Sequence, residues 1–261
     1  SDGIYSPEEI LDRAVKGGLS IIALADHDSF AGAERALASQ RLQPRPLRVL
    51  AGLEISSILG DKEIHILGYF PRQAISPSMT EFLASVQSER VERIRKGLQK
   101  LSAIGVKLDF STLQRGTAGN SVGRGHLAKA MIEKGYAESM SDAFKMYLGY
   151  DVGIIPMMRS PAERVIGLIK ESAGLAIWAH PPIHLFDGLL EKLTPLGLDG
   201  IEVNNRRRSG LHSLYYEKVA EDFKLLATGG SDWHGYDGDM DLGEFYVRPD
   251  EIAKFLERFP E

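Results

Sequence analysis

The chain has 261 residues, of which 43% are hydrophobic and 26% charged, with a formal charge of −5 and no cysteine. That balance is ordinary for a globular protein. It supplies no basic field for duplex DNA, no disulfide or thiolate metal site, and no apolar run near the roughly 18 residues that a membrane helix needs. The length fits one large α/β domain or two smaller ones, and the lack of cysteine suits a reducing compartment, so a cytoplasmic location is expected.

The chain opens on "SDGIYS" without methionine, as a piece of something longer would. "SPEEILDRAVKGG" then predicts a helix with Ser6 as N-cap, Pro7 in the first helical position and Glu9 closing a capping box; Gly17 and Gly18 end it. "LSIIALADHD" reads as a short buried strand, and "LRVLAGLEIS" and "EIHILGYF" as two more, separated by the turn-like "LGDK". From about residue 78 to 173 the pattern becomes helical. Leu83, Val86, Arg90, Ile94, Leu98 and Leu101 recur at helical spacing in one long segment, and "GRGHLAKAMIEKGY" and "MSDAFKMYLGY" predict two further helices. "SPAERVIGLIKESAG" predicts another, opened by Ser160 and Pro161. Strands return in "GLAIWAHP", "LDGIEVNN", "FKLLATGGSD" and "GEFYVRP". Strand–helix alternation on both sides of a helical stretch points to an α/β barrel or sheet carrying an inserted helical subdomain.

Chemistry-bearing residues collect where these strands end. Asp26-His27-Asp28 follows the first, Glu54 the second, and His65 lies in the third. His180 follows "LAIWA", "GIEV" carries Glu202, and "LLATGGS" leads to Asp232 and His234, whose spacing on an extended backbone puts both side chains on one face. In barrels of parallel strands the C-terminal strand ends form the active-site face. With cysteine absent, imidazole plus carboxylate is the donor set expected for Zn²⁺, Mn²⁺ or Fe²⁺. One histidine at one strand end is ordinary; this many ends carrying the same chemistry is not. His184 and His212 lie away from such ends and are read as surface residues.

The ordered set "SDG…SPEEI…ALADHD", "GLEIS", "HILGY", "AHP" and "GSDWHG" resembles the successive motifs of the PHP family, the polymerase and histidinol phosphatase superfamily. The inserted "GNSVGRGHLAKAM" and "AFKMYLG" are similar to one branch, which holds 3′,5′-nucleotide bisphosphatases and 5′–3′ exoribonucleases. The resemblance implies a distorted (β/α)7 barrel with up to three divalent metal ions. It divides the chain into residues 1–77, the first part of the barrel without its first strand; 78–160, the inserted helical subdomain; and 161–261, the second part. Asp2, His27 and His234 match the ligands of one metal, and Glu54, His65 and His180 those of a second, with Glu54 bridging. A third would use Glu54, Asp232 and an HxH motif expected just upstream of "SDG". Glu54, Asp232 and His180 are thereby the residues expected to carry hydrolysis by a metal-bound water.

The resemblance also implies that Arg124 and His126, in "GRGH" at a helix start, hold a substrate phosphate; arginine suits bidentate phosphate contact and a helix N-terminus adds its dipole. Arg208, in the basic run "NNRRRSG", is a further candidate, while Tyr150, Tyr215 and Tyr216 are too weakly placed to count for base stacking. The expected partner is a small phosphorylated nucleotide or short single-stranded RNA, with no duplex DNA and no membrane. Action on another monoester such as histidinol phosphate, and a non-catalytic PHP-like binding domain, stay open as alternatives.

Overall fold

The computed structural model describes residues 2–115, 122–149, 152–206, 209–236 and 239–259. Helix α1 (Pro7–Lys16) starts as its sequence requires. Ser6 Oγ accepts the Glu9 N–H at 3.3 Å and Glu9 Oε2 accepts the Ser6 N–H at 2.8 Å, so two amides that the helix leaves open are satisfied reciprocally. Strand β1 (Ile21–Leu24), helix α2 (Ala31–Leu42) and strands β2 (Arg48–Leu59) and β3 (Lys62–Tyr69) follow. The helical stretch comprises α3 (Pro77–Ala103), α4 (Phe110–Arg115), α5 (Arg124–Glu133) and α6 (Met140–Ala143), which runs on as a π-helical turn over Phe144–Leu148. The chain closes with α7 (Ala162–Glu171), β4 (Leu175–Trp178), α8 (Phe186–Leu193), β5 (Gly200–Asn205), α9 (Gly210–Asp222), β6 (Leu226–Gly230) and the short α10 (Ala253–Leu256).

The strands form one curled mixed sheet in the order β1-β2-β3-β4-β5-β6. The β1–β2, β4–β5 and β5–β6 pairs are parallel, whereas β3 is antiparallel to both β2 and β4. Leu59 faces Lys62 across a tight turn, and a link that short can only join antiparallel strands. The expectation that Glu54 follows the end of its strand, and that all these residues share the C-terminal ends of parallel strands, is therefore corrected; His65 lies within its strand, as expected. Glu54 lies in the middle of β2, and His65 lies in the first half of a strand that runs the other way. Two smaller corrections concern element limits. "GEFYVRP" forms a turn closed by a single Leu242–Phe245 bridge, with Gly243 at φ +100°, and no strand after β6 occurs among the described residues. Ser160 does not cap α7: Pro161 holds the N-cap position, while the buried Ser160 gives its carbonyl to the Ile58 N–H at 2.8 Å.

Side-chain alternation divides the sheet into two faces. Val49, Ala51, Leu53 and Ile55 of β2, Ile64 and Ile66 of β3, Ala176 and Trp178 of β4, and Ile201 and Val203 of β5 enter the main core against the helices. Their alternates Leu50, Leu67, Ile177 and Leu226 meet Phe255 and Phe259 on the inner face. Counting along that face by twos from these apolar residues reaches Glu54 on β2, His65 on β3 and Thr228 on β6. The inside of the curl thus has an apolar floor and a polar mouth. A cavity of about 980 Å³ lies there, lined by the edge strand β1, by Glu54, His180 and Glu202, and by the Ser231–His234 segment beyond β6.

The long helix α3 ties the parts together. Met79, Phe82, Leu83 and Val86 pack in the main core, whereas Ile94 and Leu101 belong to a second core with Leu127, Met131, Leu148 and Ile155.

Candidate metal centre

Each site residue is carried by a specific local device. After β1 the chain turns at Asp28, which is fully buried with φ +52°. Asp28 Oδ1 accepts the Ser56 N–H at 2.8 Å, and Oδ2 is ion-paired with Arg90 of α3. The Asp28 N–H donates to the Glu54 carbonyl at 2.7 Å, and His27 bridges Glu54 in parallel register. His27 Nδ1 lies 3.7 Å from Glu54 Oε2. From β3, His65 brings Nδ1 to 2.6 Å from Glu54 Oε1. Beyond β4, His180 sets Nε2 3.0 Å from the same oxygen and 3.2 Å from His65 Nδ1.

The segment after β6 supplies the rest, by a route other than the one expected. Asp232 has φ +50°, so Asp232 and His234 do not sit on one extended strand. Instead the chain folds back, and His234 Nδ1 approaches the Asp232 carbonyl at 2.9 Å, an interaction in which the ring must donate. That leaves His234 Nε2 aimed at Asp2, 3.7 Å from Oδ1. The Tyr236 hydroxyl donates to the Asp2 carbonyl at 2.9 Å while its ring stacks on His234, centroids 5.3 Å apart. His180, His65, His27 and His234 thus form a chain of imidazoles with successive centroid distances of 5.0, 5.1 and 6.2 Å.

Burial and mutual charge set the protonation of these groups. Burial alone would raise the carboxyl of Glu54, but the charges of His27 and His65 and hydrogen bonds from His180 and His65 hold it well below the usual carboxylate range. Asp2 behaves likewise: burial pushes up, and His27, His234, Arg90 and His126 together pull it far down. For His65, burial dominates and lowers its pKa in spite of Glu54. Burial would also lower His180, but the Glu54 hydrogen bond and the charges of Glu54, Glu202 and Asp232 raise it to about 9. Burial opposes and Asp2 and Asp232 favour the proton on His234, with the carboxylates prevailing.

These donors fit divalent metal. Asp2, His27 and His234 form one group, and His27, Glu54 and His65 another, with one ligand atom from each residue lying within 4.8 Å of the others. Metal–ligand bonds of about 2.0–2.2 Å place neighbouring ligand atoms roughly 3–4 Å apart; His180 stands at 3.0 Å from Glu54 and 3.2 Å from His65, whereas His65 and Glu54, at 2.6 Å, are in direct hydrogen-bond contact and would have to part slightly. The Glu54 oxygens point in two directions, Oε2 toward His27 and Oε1 toward His65 and His180, as a bridging carboxylate requires. Asp232 lines the same cavity.

The residues read as substrate-binding are placed less uniformly. His126 is the third residue of α5; its Nδ1 accepts the Gly123 N–H at 3.2 Å, so the ring proton sits on Nε2. Burial lowers its pKa to about 4, against the pull of Asp2. Arg124 is mostly buried, with NH2 3.8 Å from Glu63, NH1 donating to the Leu148 carbonyl at 3.4 Å, and the guanidinium 5.7 Å from the centre of the Phe144 ring. Arg208, Arg207 and Tyr150 lie outside the described residues. Arg206 pairs with Asp239 at 2.8 Å and donates to the Asp232 carbonyl at 3.3 Å, so it braces the ligand-bearing loop. Tyr216 is buried and donates to the Pro181 carbonyl at 2.9 Å, while Tyr215 is partly exposed and donates to Asp187 at 2.5 Å. His184 and His212 are exposed, as expected.

Two residues of the site carry no role in the sequence reading. Arg90 appears there as one position of a helical stripe, yet it reaches from α3 to Asp28 and to the Val122 carbonyl at 3.2 Å. Glu202 is counted there among the strand-end carboxylates but given no partner; here it is buried and accepts the His180 N–H at 2.7 Å.

Comparison with characterised proteins agrees with this geometry. The chain is 31% identical over 240 residues to the 5′-3′ exoribonuclease Rnm of Escherichia coli (strain K12), spanning 90% of this chain and 82% of that protein. It is 31% identical over 256 residues to the 3′,5′-nucleoside bisphosphate phosphatase of Chromobacterium violaceum, spanning 93% and 87%. Among solved structures, a protein described as a metal-dependent phosphoesterase from Bifidobacterium adolescentis superposes with a TM-score of 0.87 at 28% identity, covering 100% of this chain and 93% of that one. An amidohydrolase from Chromobacterium violaceum with bound sulfate and no metal gives 0.87 at 28%, covering 98% and 92%. No family model matches the chain. The fold and the site define a hydrolase acting on phosphoester bonds. The chain belongs to the PHP-type metal-dependent phosphoesterases, in the group that contains these exoribonuclease and bisphosphatase relatives.

Proposed function

We propose that the protein is a distorted PHP-type barrel enzyme that hydrolyses the phosphate ester of a nucleoside 3′,5′-bisphosphate or of the 5′ end of short single-stranded RNA. The observation that carries this reading is the placement of an ionised, two-directional carboxylate, Glu54, between the Asp2–His27–His234 group and the His65–His180 pair. Divalent metals held there, up to three and of the Mn²⁺, Zn²⁺ or Fe²⁺ class, would offset phosphate charge and acidify water. Asp2, His27 and His234 would bind one, Glu54, His65 and His180 a second, and Glu54 with Asp232 part of a third. His180 would hold metal through Nε2 only with its proton removed. Arg124 and His126 Nε2–H, on the first turn of α5, would donate to the second phosphate, with the Arg124 guanidinium turning from Glu63 and the Leu148 carbonyl to do so.

The test offers the Mn²⁺-loaded chain a nucleoside 3′,5′-bisphosphate, a short 5′-phosphorylated RNA, histidinol phosphate and a chromogenic monoester, reading mononucleotide release from the RNA and inorganic phosphate from the others. Turnover on the first two well above the last two is expected. Arg124→Ala should lower kcat/KM for the bisphosphate strongly, leave metal content unchanged and affect the chromogenic ester far less. Preference for histidinol phosphate would replace this substrate assignment, and binding without turnover on any ester would favour a non-catalytic domain.

A further inference from the structure

Glu202 is the buried carboxylate of this cavity that has no place in the metal groups described above. It stands on β5, between β4 and β6, and a register shift between Glu202 and Asn204 interrupts the β5–β6 pairing beside it. It is 5% exposed, and burial raises its carboxyl to about 7 against the opposing pull of His180. Keeping a carboxylate in such a place costs stability unless a specific hydrogen bond requires it. That bond is visible: Glu202 Oε2 accepts the backbone N–H of His180 at 2.7 Å, and it also accepts the Asn205 side-chain amide at 3.3 Å.

The His180 backbone needs holding. Its φ is +28°, a left-handed conformation that L side chains rarely adopt and that persists when its surroundings over-determine it. With His180 in this conformation, Nε2 lies 3.0 Å from Glu54 Oε1 and 3.2 Å from His65 Nδ1. The turn is pinned on both sides, at the His180 N–H by Glu202 and at the Pro181 carbonyl by the buried Tyr216 hydroxyl, 2.9 Å away. Here the neighbouring carboxylate grips the peptide of the ligand, and the imidazole is left clear to meet Glu54.

We infer that Glu202 is a positioning residue for metal binding: through the His180 amide it fixes the strained turn that aims His180 at Glu54 and His65. The inference rests on the reading of His180 as a metal ligand. It does not require Glu202 to touch metal or substrate, and it assigns the function to the acceptor oxygen rather than to the charge.

Two conservative variants separate these possibilities. Glu202→Gln keeps an acceptor oxygen at the same reach and removes the charge. Glu202→Asp keeps the charge and withdraws the oxygen by about one carbon–carbon bond, ~1.5 Å. Mn²⁺ affinity is measured by titration into the full metal-free chain, and the His180 amide is observed by ¹⁵N–¹H NMR before any metal is added. Glu202→Gln should bind Mn²⁺ like the wild type with the His180 amide proton still strongly downfield. Glu202→Asp should lose about ten- to a hundredfold in affinity at one class of site, the range found for outer partners of metal ligands, with the amide proton moved upfield. The reverse pattern, equal impairment of both variants, or wild-type behaviour of both would overturn the inference. Failure of the wild type to bind Mn²⁺ would count against the metal reading instead, while the amide shifts would still decide for or against the Glu202–His180 clamp.

Discussion

At the scale of single residues, the site is a contest between burial and charge, which burial wins at His65 and charge wins at His180. Burial disfavours its proton, yet Glu54, Glu202 and Asp232 raise its pKa to about 9. His180 therefore holds its proton at neutral pH, and a metal bound through this ring, as proposed, would have to displace it. Since the raised pKa leaves the ring protonated below about 9 and free above it, Mn²⁺ affinity at this position should climb about tenfold per pH unit from 6.5 toward 9 and then level. Calorimetry in buffers of different ionisation enthalpy should record close to one proton released per ion bound there at pH 7.5. No release would show that His180 is neutral or does not bind. The imidazoles and carboxylates that converge here were largely legible in the sequence, because they stand near strand ends in a chain without cysteine. Their backbone was not: Asp28, His180 and Asp232 all have positive φ, imposed by partners such as Arg90, Glu202 and Arg206 that come from distant segments. The spacing of Asp232 and His234 suggested a shared strand face, whereas a fold-back after β6 brings His234 to Asp2.

At the scale of elements, the first turn of α5 touches the metal group without any side chain at the contact. A Cβ built on Gly125 would lie 2.6 Å from the Tyr236 hydroxyl and 2.8 Å from Asp2 Oδ2, both far closer than real contacts allow. Glycine here lets the helix backbone press against Asp2, a proposed ligand. Gly125→Ala should force α5 and Asp2 apart, weakening Mn²⁺ binding at the Asp2–His27–His234 group while leaving helix content intact by circular dichroism. Since alanine is the better helix former by about 1 kcal/mol, unchanged or improved metal binding would show that the contact is incidental. The sequence marked this helix and its "GRGH" start, because the glycine–arginine boundary and helical periodicity are local signals. It also marked the β2–β3 turn. It misjudged "GEFYVRP", whose β-rich composition forms only one bridge, with Gly243 turning at φ +100° where a strand would have to extend. Whether such a run finds a pairing partner depends on a neighbouring edge, which composition does not encode.

At the scale of the whole molecule, α3 runs from the main core into the second one and contributes buried Arg90 to the metal turn and Arg93 to Glu63, 3.2 Å away. Metal binding should therefore be felt across the fold. Ligand binding to the folded state alone adds about 2.7 kcal/mol at a hundredfold excess over Kd. For a chain of this size that corresponds to a rise of roughly 5–10 °C in Tm. Chelator-treated protein should gain this on addition of Mn²⁺ and unfold in one transition, as monitored by scanning calorimetry. A Tm indifferent to metal would mean that the ligands are not organised by, or do not stabilise, the folded chain.

The central claim is that Glu54 joins the two ligand groups into one hydrolytic centre. Its most direct test is Glu54→Gln, assayed together for metal content and for phosphate release from a nucleoside 3′,5′-bisphosphate. Glutamine keeps the volume of the side chain but replaces two charged oxygens with one neutral acceptor and an amide that cannot bind metal through nitrogen. The expected result is a folded protein with reduced metal content and phosphate release at least about a thousandfold below wild type, more than 4 kcal/mol of lost transition-state stabilisation. A Glu54→Gln protein that retains wild-type metal content and turns over within a few-fold of wild type would contradict it.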